Sequence, residues 1–197
     1  WLTLTSLVVW MRFFDGGIGY GFHNKFVEAK SLSNNSLARS LVSSTYFSLA
    51  IISSILSVFF FIISFFIDWT LLLNTDAFKI DELRIIVSTV FICFFGELVL
   101  KTILIMYEAD QKPSLRKLYE VVINLVILFS VYILYYFQDT ATLLIYSITL
   151  SAIPLIILIA FSVYSFKSNY RLYLPSLKFF NKKHLNEIFG LGFKFFL

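Results

Sequence analysis

Apolar residues in this chain come in long unbroken runs separated by short polar stretches, and the run lengths carry the first inference. Residues 41–67 hold no charged side chain and are bracketed by Arg39 and Asp68. Residues 85–106 form a second run, interrupted by Glu97 and Lys101. Residues 121–137 form a third, shorter run, and residues 140–166 a fourth. A helix crosses the hydrocarbon core of a bilayer with about 20 apolar residues, so each run predicts a spanning helix. Barrel strands would instead show alternation over about 10 residues, and these runs are continuous. Residues 1–14 read as the second half of a further span, and residues 188–197 as the start of another. The opening stretch has neither the basic start nor the small-residue cleavage site of a signal peptide. The expectation is an internal piece of a longer chain, with four whole spans and two partial ones.

Composition narrows the class further. Hydrophobic residues make up 59% of the 197 and charged residues 14%, against about 25% charged in ordinary soluble domains. No water-soluble core of this size absorbs so much apolar surface. Soluble enzymes, disordered tails and nucleic-acid binders are excluded on that ground. The single cysteine, Cys93, excludes an internal disulfide framework. The two histidines, His23 and His184, lie far apart in polar stretches, so no metal site is expected.

Charge matters here through its distribution. The first, third and fifth loops (residues 15–40, 107–120 and 167–187) carry eleven Lys and Arg, whereas the second and fourth carry only Lys79 and Arg84. By the positive-inside rule this alternation places the odd loops in the cytoplasm. Trp69, Tyr135 and Tyr136 are expected as aromatic anchors at the outer boundary, and Tyr164 at the inner one.

Polar residues inside the spans are the candidate chemistry. A charge near a helix centre costs about 2.5–3.5 kcal/mol on insertion scales. Glu97 and Lys101 stand four residues apart, which lets them pair on one helix face, and Thr89 and Cys93 extend that stripe. Two readings compete: Lys101 snorkels to the interface with Glu97 as its partner, or the pair faces a polar cavity. The depth of Glu97 favours the cavity. Arg12 admits the same choice, between a snorkelling anchor and a guanidinium at the cytoplasmic mouth able to grip a phosphate with two hydrogen bonds. Ala50, Ser53, Ser54 and Ser57 form a small-residue pattern expected to pack against another helix. Ser147, Ser151 and Pro154 mark one side of the last whole span, with a kink expected at the proline. The run from Gly16 to Gly21 follows a membrane helix rather than a strand, so it reads as a sharp turn at the membrane surface and not as a nucleotide loop. Residues 22–40 after it read equally as an interfacial segment or a plain linker.

At this loop the chain resembles a known family. Trp1-Leu2-Thr3-Leu4, the stretch Phe14-Asp15-Gly16-Gly17-Ile18-Gly19-Tyr20-Gly21, Asn24-Lys25 and Glu28-Ala29 resemble the end of the second helix and the following loop of Wzx-type polysaccharide flippases. These belong to the multidrug/oligosaccharidyl-lipid/polysaccharide exporter superfamily. Ser43-Ser44-Thr45-Tyr46 is similar to the head of that family's third helix. The run from Leu174 to Phe180 and that from Ile188 to Phe196 are similar to the approach to its seventh. Where the family loop often carries Leu-Arg-Asn, this chain has Phe22-His23-Asn24, so no basic role is transferred there.

The resemblance implies an all-α polytopic membrane protein, with these spans as helices two to six and the start of seven of a two-lobed exporter around a central cavity. Residues 1–187 would form the N-terminal transmembrane lobe, residues 167–187 the cytoplasmic linker at its end, and residues 188–197 the start of the second lobe. The implied function is transport, not catalysis: flipping a polyprenyl-diphosphate-linked oligosaccharide from the cytoplasmic to the outer leaflet of a bacterial cytoplasmic membrane, for surface polysaccharide such as O-antigen or capsule. Arg12, Glu97 and Lys101 are the cavity candidates, with proton or sodium coupling left open and no cofactor or nucleic acid expected. A drug or cation antiporter of the same superfamily, or a membrane polysaccharide polymerase, are the alternatives. The first would use acidic groups to hold cations, and the second would want a large outer loop.

Overall fold

The computed structural model of the chain describes residues 6, 17–75, 78–136 and 143–196, side chains of 189 and 191–196 aside. Arg12 and, Ser6 apart, the first partial span lie outside the described residues, as do Asp76 and Asp139. Eight helices follow in order: α1 (Ile18–Ser31), α2 (Asn35–Ser64), α3 (Trp69–Leu73), α4 (Ile80–Leu100), α5 (Thr102–Ala109), α6 (Pro113–Tyr136), α7 (Leu143–Lys167) and α8 (Lys182–Phe196). Two 3₁₀ turns, Arg171–Tyr173 and Leu177–Phe179, sit between the last two. No strand occurs among the described residues. Among the described residues, four elements are long and apolar enough to cross a membrane: α2, the near-continuous α4–α5, α6 and α7. The protein is an all-α polytopic membrane protein.

The helices outrun the apolar runs. The third run begins at Val121, yet α6 begins at Pro113, and the expected loop 107–120 shrinks to the turn Asp110–Lys112. Likewise α2 starts at Asn35 and α8 at Lys182. Hydropathy reports the length dissolved in lipid, whereas the backbone ladder continues for as long as local sequence permits. Local chemistry sets these starts. Asn34 caps α2, its side chain accepting from the Leu37 N–H at 2.9 Å. Pro113 opens α6 at the one position where a missing N–H costs nothing. Between α4 and α5 the ladder tightens at Lys101, whose carbonyl accepts from Leu104 N at 2.9 Å.

The glycine-rich stretch behaves as a turn: Gly17 has φ 72°, a left-handed conformation that glycine adopts without strain. It leads directly into α1, so the following segment is not an open linker. Phe22 and Phe26 of α1 are fully buried, and the helix packs on α2, α5 and α8. Around them Tyr107, Tyr170 and Tyr173 complete one apolar core at the end of the bundle that carries the odd loops. A second core, at the opposite end, gathers Trp69, Leu83, Phe91 and Phe95.

Trp69 departs from the expected anchor role. It is buried, with its indole N–H donating to both the carbonyl and the hydroxyl of Ser64 at 3.1 Å. Tyr135, Tyr136 and Tyr164 are exposed as interfacial aromatics should be. In the small-residue pattern, Ser53 is buried and Ser57 half-buried, but Ser54 faces outward. A helix turns 3.6 residues per cycle, so adjacent small residues cannot share a packing face. A glycine contact is instead found between α4 and α7, where a Cβ on Gly96 would lie 3.0 Å from Leu155 Cδ1. Helix α7 runs unbroken through Pro154. Outward faces such as Ile55, Phe59 and Ile62 of α2, or Leu125, Leu128 and Phe129 of α6, are exposed apolar surface, as expected of helices that cross a membrane.

The segment after α7 is strapped to the head of α2. Arg39 Nε donates to the Leu174 carbonyl at 3.3 Å and Ser40 to that of Phe179 at 2.8 Å. Ser43 accepts from Ser176 N–H at 3.1 Å and Ser44 from Asn181 N–H at 2.9 Å. Tyr173 donates to the Asn35 side chain at 2.7 Å. Two of the residues in the Ser43-Ser44-Thr45-Tyr46 motif thus hold this linker down.

Candidate functional site

Helix α6 leans on α7 and α5, and the space it leaves beside α4 is a cavity of about 630 Å³. Cavities of about 300–1,000 Å³ are the usual size for small-molecule sites. Helical spacing explains its lining. On α4 and its C-cap, Val90, Cys93 or Phe94, Glu97 and Lys101 follow one another at three or four residues, and on α6 Arg116, Glu120 and Asn124 do so at four. Thr45 and Leu49 of α2 and Ser151 and Pro154 of α7 complete the wall.

Glu97 and Lys101 pair at 2.6 Å, and both border this cavity. Their side chains are 16% and 35% exposed respectively. The carboxylate is therefore the more enclosed member, and the ammonium reaches the wetter part. Of the stripe extended in sequence, Cys93 borders the cavity and Thr89 is not among its lining residues. Across from the pair, Arg116 holds Glu108 of α5 and, at 3.3 Å, Glu120 of its own helix. Lys117 also binds Glu120, at 2.8 Å.

Arg116, Tyr119, Glu120 and Asn124 were legible as a stripe only once α6 was known to begin at Pro113. Taken as loop residues, Arg116 and Lys117 counted merely toward orientation. The overlooked signal is the four-residue spacing of Arg116, Glu120 and Asn124 running straight into the apolar run.

The charges on the cavity wall balance: Lys101 and Arg116 against Glu97 and Glu120. The neutral groups, Thr45, Tyr119, Asn124 and Ser151, offer both donors and acceptors. Set among apolar side chains such as Leu49, Phe94 and Ile127, these groups can hydrogen-bond a hydroxylated ligand, and the two cations can re-pair with an anion. Among the described residues, no cluster of three or more His, Cys, Asp or Glu could hold a metal ion.

Below the cavity, at the odd-loop end, Asp110 ties two loops together. It binds Lys30 at 3.0 Å and Lys112 at 2.6 Å, and Tyr170 reaches it at 3.4 Å. Burial pushes the Asp110 carboxyl up, but hydrogen bonds from Lys112 and Lys30 outweigh it and hold the group below the usual carboxylate range. Burial depresses Lys30, and the Asp110 hydrogen bond and charge, with a smaller contribution from Tyr173, together outweigh it, so its net direction is upward. The first, third and fifth loops thus meet on one end of the bundle, through Lys30–Asp110 and Tyr173–Asn35.

Fold and site together define a helical multi-pass membrane protein whose spans enclose a largely apolar cavity bearing two ion pairs. No protein family, curated protein or solved structure matches this chain.

Proposed function

We propose that the chain is part of a flippase that carries a polyprenyl-diphosphate-linked oligosaccharide from the cytoplasmic to the outer leaflet of a bacterial cytoplasmic membrane. The observation that supports this most is the pair of charge-balanced ion pairs, Glu97–Lys101 and Arg116–Glu120, set with a few hydroxyl and amide groups in the otherwise apolar wall of the cavity between α4 and α6. A sugar chain must leave water without losing its hydrogen bonds, and a wall of paired ions and neutral amide and hydroxyl groups replaces them. The polyprenyl tail stays in lipid. Lys101 and Arg116 lie where a diphosphate could exchange with their carboxylate partners, and Arg116 offers the planar fork suited to phosphate oxygens. Arg12, near the cytoplasmic end of the first partial span in sequence, would add a cation at the mouth.

Conformational cycling would come from rocking of helix groups about a fixed site, with the odd loops on the cytoplasmic side. A drug or cation antiporter is less well supported. Both acids on this cavity wall, Glu97 and Glu120, are held by bases, so neither stands ready for a cationic drug.

The test compares Lys101→Ala with Lys101→Arg in cells that make the whole protein. Export of surface polysaccharide is scored beside the amount of protein in the membrane. Alanine should impair export more than it lowers the amount of protein in the membrane, and arginine should retain part of it because the charge persists in a different shape. Normal export by Lys101→Ala at normal level refutes a substrate role for this lysine.

A further inference from the structure

On the outside of the bundle, away from the cavity, a groove of about 620 Å³ runs where the end of α4 and the last turns of α7 meet the linker. Leu100, Ile159, Val163, Phe166, Leu174 and Pro175 make its walls apolar. Lys167, the last residue of α7, and Arg171, the first of the following 3₁₀ turn, stand at its rim. Both are exposed, and neither side chain has an ion-pair or hydrogen-bond partner among the described residues. Lys30, Lys112, Arg116 and Lys117, on the same end of the bundle, are all engaged by carboxylates. A third feature lies in the wall: Ser162 is only 5% exposed, and its hydroxyl has no hydrogen-bond partner. Around the groove, Tyr164, Leu172 and Leu177 are exposed, as aromatic and apolar side chains are at the headgroup level of a membrane.

We propose that this groove binds one anionic glycerophospholipid. An acyl chain lies along Leu100, Ile159, Val163 and Phe166, the phosphate sits between Lys167 and Arg171, and the Ser162 hydroxyl supplies a donor at the depth of the ester carbonyls. Charge complementarity selects the occupant. Two unpaired cations beside an apolar slot at the membrane surface match a headgroup of net negative charge, whereas a zwitterionic lipid carries its own ammonium. The site is separate from the central cavity, so it stands or falls independently of the flippase reading.

The experiment titrates the purified protein, in a mild neutral detergent, with dioleoylphosphatidylglycerol or dioleoylphosphatidylcholine and counts bound lipid by native mass spectrometry. The wild type should hold phosphatidylglycerol in preference to phosphatidylcholine. Lys167→Gln with Arg171→Gln should weaken it roughly thirtyfold, the combined effect of two surface cations on an anionic lipid. Val163→Trp, which fills the groove and leaves both charges, should also displace it. Lys178→Gln with Lys182→Gln, on the same basic segment but outside the groove, is the control and should change binding less than twofold. Equal loss in the control pair would make the effect a diffuse basic surface and overturn the proposal. So would equal binding of the two lipids, retention by the Lys167/Arg171 variant, displacement by inorganic phosphate alone, or tighter binding of a polyprenyl phosphate than of phosphatidylglycerol.

Discussion

The Glu97–Lys101 pair allows a test of whether it is a structural unit or two independent polar residues. At an effective dielectric of about 20, unit charges 2.6 Å apart attract by about 6 kcal/mol. Taking the carboxylate, 16% exposed, out of water cancels much of that gain. Lys101 is 35% exposed, so solvent screens the pair further. A net coupling of about 1–3 kcal/mol remains. The unequal burial makes the single substitutions unequal. Lys101→Met strands an enclosed carboxylate and should cost about 2–3 kcal/mol, whereas Glu97→Gln leaves an ammonium that can move toward the interface and should cost about 1 kcal/mol. The double variant should be no worse than Glu97→Gln alone, because it removes both charges together. Unfolding in mixed micelles titrated with sodium dodecyl sulfate gives the four stabilities of this cycle. If the two single effects add to within about 0.5 kcal/mol, the residues act separately and the reasoning from their contact fails.

Two further outcomes follow from the odd-loop end. Asp110→Asn should lower stability at neutral pH by about 1–2 kcal/mol, since Lys30 and Lys112 lose a charged partner. The folded carboxyl lies below its unfolded value of about 4, so its contribution is present above that value and is lost as pH falls through the folded one. Unfolding midpoints measured from pH 7 to pH 3 should therefore fall more steeply for the wild type than for the variant, and parallel curves would remove the pair from the account. Topology is checked by single cysteines at Lys30, Lys112 and Lys178 in a Cys93→Ala background, probed with a membrane-impermeant thiol reagent. All three should resist labelling from outside intact cells, while cysteines at Asp76 and Asp139 should react; external labelling at position 112 breaks the topology.

The apolar run lengths and the alternation of Lys and Arg were enough to define the number of whole spans and to group the odd loops, because both follow from the bilayer as solvent and need no contact between helices. The same holds for the pairing of Glu97 with Lys101, which the geometry of a single helix dictates. What surrounds them was not legible. Nothing along the chain says that α6 stands off from α4, and only that separation creates a cavity and brings Arg116 and Glu120 to its wall. Phe22 and Phe26 read equally as part of an interfacial segment or of a plain linker until α8 and the Tyr173 turn close over them. Trp69 likewise reads as an anchor until Ser64 folds back beneath it. The two kinds of knowledge divide on a physical line. Partition between water and lipid is a sum over residues and can be read in one dimension. Packing, cavities and ion networks depend on which faces meet across tens or hundreds of residues, and only the assembled bundle decides that.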